Sequence, residues 1–169
     1  MDEEKINKLP PDVKKQFLKL GLKLSEKKTK TKVHEDFLSF VKHVWPEFIE
    51  GKHHKEISKK FNDIANKKIK RLIINMPPRH TKSEFASFLL PAWMVGRKPN
   101  LKIIQTTHTT ELAIRFGRKA KTLMDSQEYK EVFKTRLRED SQAAGKWETE
   151  QGGEYYAAGV GSAITGRGA

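Results

Sequence analysis

The stretch Asn75-Met76-Pro77-Pro78-Arg79-His80-Thr81-Lys82-Ser83-Glu84 carries more information about architecture than any other in the chain. Before it stands a short apolar run, Arg71-Leu72-Ile73-Ile74-Asn75-Met76. After it, apolar residues recur at helical spacing from Ser83 to Val95. A strand that turns straight into a helix is the context a phosphate-binding loop requires. Amides of a first helical turn have no intrahelical acceptors, and the helix dipole favours an anion there. In such a loop Met76, Pro77, Pro78, Arg79, His80, Thr81, Lys82 and Ser83 would line the phosphates of ATP. Lys82 would reach the β and γ phosphates, and Ser83 would hold Mg2+ through its hydroxyl. The usual pattern has glycine where this chain has Met76 and Thr81, and a β-branched threonine resists positive φ. The same residues also fit an ordinary strand-to-helix turn with a capping threonine.

Working outward, Arg71–Met76 reads as a fully buried strand, and Ser83–Val95 as a helix closed by Gly96. Leu101–Thr106 is a second short apolar run. Glu111–Met124 is a second helix, with Leu112, Ile114, Phe116 and Leu123 as its core residues. Strand, helix, strand, helix implies a parallel sheet with right-handed crossovers. Arg71–Met76 and Leu101–Thr106 are therefore expected side by side and parallel in one sheet, as a P-loop fold demands. Residues 125–145 read as polar and irregular. Lys146–Thr149 and Glu154–Ala158 flank Gly152-Gly153 and read as a hairpin. The glycine-rich end, Gly159–Ala169, has no helix or cap, and the chain is expected to continue past it.

Upstream, Phe37, Phe40, Val41, Val44 and Trp45 mark the buried face of a helix ended by Pro46. His54–Ala65 is another amphipathic helix, with Ile57, Phe61 and Ile64 inward. Residues 1–32 form a separate lysine-rich segment, and 33–169 the main domain. In the segment, Val13, Phe17, Leu18, Leu20 and Leu24 could form a helix stripe after Pro10-Pro11, and Lys27–Lys32 reads as linker.

Net charge is +13 in 169 residues, with 33% charged and 36% hydrophobic residues. That balance suits a protein meeting a polyanion, and equally one that is simply soluble. Absence of cysteine excludes a disulfide framework and thiolate metal sites. The N-terminus has no apolar core for a signal peptide, and no apolar run is long enough to span a bilayer. His53-His54 lacks a spaced partner pair that would complete a metal site.

Asn75–Glu84 resembles the variant phosphate loop of the tailed-phage large terminases, in which Pro-Pro-Arg-His precedes a glycine, then Lys and Ser or Thr. Here Thr81 replaces that glycine. Phe40 through Pro46 and His53-His54 are similar to the family's helical lead-in. Trp147-Glu148-Thr149, Gly152-Gly153, Tyr155, Ala157, Gly159 and Ile164-Thr165-Gly166-Arg167-Gly168 resemble the strand pair that precedes its Walker B strand. The likeness covers residues 33–169.

The resemblance implies an α/β P-loop NTPase of the additional-strand, RecA-like class, with a parallel sheet and flanking helices. It implies an ATPase that uses ATP and Mg2+ to drive double-stranded viral DNA into a procapsid. A homo-oligomeric ring at the portal, a portal protein and a small terminase subunit would be its partners, in the cytoplasm of an infected bacterial host. The Walker B strand is expected beyond Ala169, and an endonuclease domain further on, so that this piece alone would be inactive. Among individual residues, Arg79 would sense the γ phosphate, and His53-His54 would lie near the adenine. Arg167 would reach a neighbour's ATP, although the family's arginine falls nearer Thr165. Thr106, Thr107 and His108, after the second strand, could contact DNA or couple it to ATP. Thr109 or Thr110 nearby fits a helix cap equally well. Arg115, Arg118, Lys119 and Lys121 form either a DNA-facing strip or a solvated helix face. Two other functions fit the charge and the loop: a helicase-like P-loop motor, and a basic DNA-binding fragment without enzymatic activity.

Overall fold

The computed structural model describes residues 10–162. It is a mixed α/β structure, with a four-stranded mixed sheet and flanking helices. Helix α1 (Pro11–Glu35) starts with proline at its first position, where a fixed φ helps and a missing N–H costs nothing. It runs on through Lys27–Lys32, so the stretch expected to be linker is helical. Lysine is a good helix former, and Thr29 and Thr31 return their hydroxyls to the carbonyls of Ser25 and Lys27. The apolar stripe of α1 is not a core face: Val13, Leu18, Leu20 and Leu24 are all exposed, and only Val33 is buried.

Asp36 makes the corner into α2 (Phe37–Val44). Its carboxylate accepts from the Ser39 amide at 2.8 Å, the Ser39 hydroxyl at 2.7 Å and the Asn62 side-chain amide at 2.8 Å. Burial opposes its charge, but these donors win and hold its pKa below the usual aspartate value. Asn62 lies on α3 (Lys52–Ala65) and accepts from the Phe37 amide at 2.9 Å, which pins α3 to the start of α2.

After α3 the chain turns at residues 66–67 and continues without regular secondary structure into the loop. Arg71–Met76 was expected to be a buried strand parallel to the next one; it belongs to no sheet. Its burial alternates residue by residue. Leu72 and Ile74 pack against the core, while Ile73 is 87% exposed. β-branched residues favour extended backbone, but a strand exists only beside a hydrogen-bonded neighbour, and no described strand lies beside this run.

A helix begins at residue 82. It is wound as a π-turn over Glu84–Leu89, with the Leu90 amide donating to the Phe85 carbonyl, and continues as α4 (Leu90–Arg97). Gly96 does not close it. It sits inside the helix, where a Cβ would lie 2.7 Å from the Phe133 ring and 2.7 Å from the Tyr129 hydroxyl. Gly96→Ala is therefore expected to destabilise the fold by about 1–3 kcal/mol, by overpacking. Urea denaturation checks this, and an unchanged midpoint would refute the close approach.

Strand β1 (Lys102–Thr107) is followed by α5 (Thr110–Asp125) and α6 (Gln127–Val132), then β2 (Leu137–Ala143), β3 (Lys146–Thr149) and β4 (Glu154–Gly159). The sheet order is β1-β4-β3-β2. Only β1 and β4 are parallel; β4–β3 and β3–β2 are antiparallel, which corrects the expected parallel sheet. The β3–β4 hairpin is as read from the sequence, but β2 and α6 occupy residues expected to be irregular. Trp147 and Tyr155, paired across the hairpin, stack with centroids 4.7 Å apart. Helix α5 approaches this pair through Gly117, whose carbonyl accepts from Trp147 Nε1. Its buried residues are Ala113, Phe116, Gly117, Ala120 and Met124. Of the four core residues expected on it, Phe116 is buried, Ile114 and Leu123 are half-buried, and Leu112 is exposed.

Candidate phosphate-binding loop

Met76 through Glu84 line a concavity of about 570 Å³, within the size range of small-ligand sites. Two residues of this loop carry left-handed backbone, Arg79 at φ 64° and Thr81 at φ 59°. Both are unusual for non-glycine residues, most of all for a β-branched one, and Thr81 takes the conformation its side chain resists.

Side-chain hydrogen bonds explain how it is held. Thr81 Oγ1 lies 2.7 Å from His54 Nε2 and donates to the His80 carbonyl at 2.7 Å. His80 Nδ1 in turn lies 2.9 Å from the Pro78 carbonyl. On its other side His54 Nδ1 accepts the Gly51 amide at 2.8 Å. His54 is buried and packs with Phe48 and Phe85 in a three-ring cluster, its centroid 4.7 and 5.0 Å from theirs and theirs 5.5 Å apart. Burial, helped by neighbouring His53 and His80 and opposed by Glu50, lowers the His54 pKa and keeps the imidazole neutral.

Among the described residues, Lys82 and Arg79 make no ion pair or hydrogen bond through their side chains, and the Ser83 hydroxyl caps nothing. A half-buried lysine with an uncommitted ammonium beside a helix start is suited to a phosphate. The Ser83 hydroxyl is exposed. With phosphate oxygens and water it fits a magnesium site, since Mg2+ takes few protein ligands in such sites. Among the described residues no group of three or more His, Asp or Glu side chains is placed to hold a metal. Glu84, at the edge of the concavity, is committed elsewhere: both its oxygens accept from Lys119 at 2.8 and 2.9 Å. Lys119 is thereby tied to the loop helix, while Arg115 and Arg118 on the same helix are exposed.

At the end of β1, Thr107 Oγ1 donates to the Thr109 carbonyl at 2.6 Å, and Thr109 Oγ1 caps α5 by accepting from the Leu112 amide at 3.3 Å. The capping reading therefore accounts for Thr109. Thr106 and His108 are exposed, and no hydrogen bond among the described residues joins them or Thr107 to the phosphate loop. Arg167 lies outside the described residues. His54, read from the resemblance as a neighbour of the adenine, contacts a loop residue 27 positions away, a contact that nothing in the sequence signals.

A second concavity, of about 630 Å³, lies between α3 and α4 and is lined by Ile64, Lys67, Met94, Arg97 and Lys102. Its lining is cationic, but Arg97 is paired with Glu35 at 2.7 Å and no hydroxyl lines it to hold Mg2+ as Ser83 could.

No protein-family model, no curated protein and no solved structure matches the chain. Among the described residues, no helix is long and apolar enough to cross a membrane.

Proposed function

We propose that Met76–Ser83 binds the phosphates of ATP together with Mg2+, and that the chain is the ATP-binding part of a P-loop motor of the large terminase kind. The observation that carries this is Lys82: half-buried at the start of a helix, it lines the concavity of the loop with no partner among the described residues. A helix leaves the loop, as a phosphate loop needs. Support for the terminase assignment comes from the residues that resemble that family. The sheet pairing a P-loop fold would add at Arg71–Met76 is not among the supports. On this reading the whole protein hydrolyses ATP to move double-stranded viral DNA into a procapsid, and its net charge of +13 suits the DNA backbone. Arg79 would stabilise the γ phosphate with its planar fork. A ring at the portal, the portal protein, the small terminase subunit and the host cytoplasm follow from the same reading.

Magnesium tests the assignment. Wild-type protein titrated with a nonhydrolysable ATP analogue is expected to bind more tightly with Mg2+ than with EDTA. Ser83→Ala should remove most of that gain, about tenfold for about 1.4 kcal/mol of lost ligand contact. Binding that ignores magnesium, or no saturable binding at all, would contradict the proposal.

A further inference from the structure

We propose that His54 is a positioning residue for the phosphate loop, locking Thr81 in the left-handed conformation that turns the chain into its helix. The inference rests on the phosphate reading of Met76–Ser83.

Proton bookkeeping gives the lock a direction. The Gly51 amide can only donate, so His54 Nδ1 is the acceptor and a neutral ring carries its proton on Nε2. Nε2–H therefore donates to Thr81 Oγ1, which leaves the threonine proton for the His80 carbonyl. Each proton in the chain is used once, and reversing any link leaves two donors or two acceptors facing each other. The ring is packed against Phe48, Phe85 and His53, with centroids at 4.7, 5.0 and 3.8 Å, which restricts its rotation. It is also the side chain of another helix, α3, so the lock ties the loop to the protein body.

A reason for the lock follows from Thr81 itself. Glycine adopts φ near 59° without resistance, whereas threonine must be held there. Lys82 follows immediately, so the direction of its side chain depends on the Thr81 backbone. The histidine thus does for threonine what the absence of a side chain would do for glycine.

The lock predicts suppression. Titration with a nonhydrolysable ATP analogue and Mg2+ is expected to show His54→Ala weakened about tenfold. Thr81→Gly, whatever its own affinity, supplies a background in which the lock has nothing to hold. Adding His54→Ala to Thr81→Gly should change nothing more, because glycine needs no lock. A merely structural histidine would cost the same in both backgrounds, and that result, or unchanged affinity in His54→Ala, would overturn the inference. Lys82→Ala run alongside separates the two readings. If it binds like wild type, the phosphate reading fails; if it is weakened while the His54 results fail, the lock alone fails. Nitrogen-15 NMR of the unliganded wild-type chain needs no variant to fold. It should find the His54 proton on Nε2, and a proton on Nδ1 would overturn the lock.

Discussion

Phe37→Ala is expected to destabilise the protein by about 3–5 kcal/mol, the usual range for removing a fully buried phenylalanine. Phe37 is wholly buried, and its ring meets Phe61 at 5.1 Å, Trp93 at 5.4 Å, Phe85 at 5.5 Å and Phe40 at 6.4 Å. Three of these contacts are edge-to-face, the arrangement that a ring quadrupole favours. Those partners come from α2, α3, the π-turn and α4, so one ring joins the helical lead-in to the helix that leaves the loop. Truncation would leave a cavity between elements that cannot collapse independently, because the Phe37 amide also holds Asn62. Ile49→Ala, at a residue 87% exposed, should stay within about 0.5 kcal/mol. Urea denaturation of the two variants compares them directly. A Phe37→Ala cost under about 1 kcal/mol would mean the aromatic cluster is not the core.

The parts legible in the sequence are those where one face is apolar and the other is not. Phe37, Phe40 and Val41 gave α2, and Phe61 with its neighbours gave α3, because a helix that buries one stripe must repeat near every third or fourth residue. The β3–β4 hairpin was legible from Gly152, whose φ of 84° suits glycine alone, set between alternating strands. Strand β2 was not legible. Leu-Arg-Glu-Asp-Ser-Gln-Ala is an edge strand with one neighbour, so little of it is apolar, and its pairing is decided by β3. The run Arg71–Met76 failed for the opposite reason. Its composition is that of a buried strand, yet composition does not supply a neighbour, and Ile73 faces out.

Within the candidate site, Lys82 and Ser83 were singled out by residue type at the start of a helical repeat, and the helix is there, whereas the strand expected ahead of them is not. Thr81 was legible only as an anomaly, a β-branched residue where a left-handed turn is wanted. Its solution, His54, was invisible, since nothing in the sequence ties a histidine on α3 to a loop 27 residues on. Gly96 was misread in the same way: a glycine near the end of a helix looks like a cap, and only the packed rings of Tyr129 and Phe133 give it another purpose.

Calorimetric titration of a nonhydrolysable ATP analogue with Mg2+ into wild type, Lys82→Ala and Lys130→Ala tests the central claim most directly. If Lys82 holds phosphate oxygens, its removal deletes a charge-assisted contact worth about 1.5–3 kcal/mol, so affinity should fall about ten- to a hundredfold. Lys130 controls for lost charge alone. It is exposed, and its pairing with the exposed Asp125 at 3.5 Å is of the kind that contributes about 0–1 kcal/mol to stability. Lys130→Ala reports what the loss of one unit of net charge costs, and weakening well beyond it reports a charge placed at the ligand. Lys82→Ala weakened at least about tenfold relative to Lys130→Ala is the predicted result. Equal affinities in the two variants would contradict the account, because Lys82 would then not be a phosphate ligand.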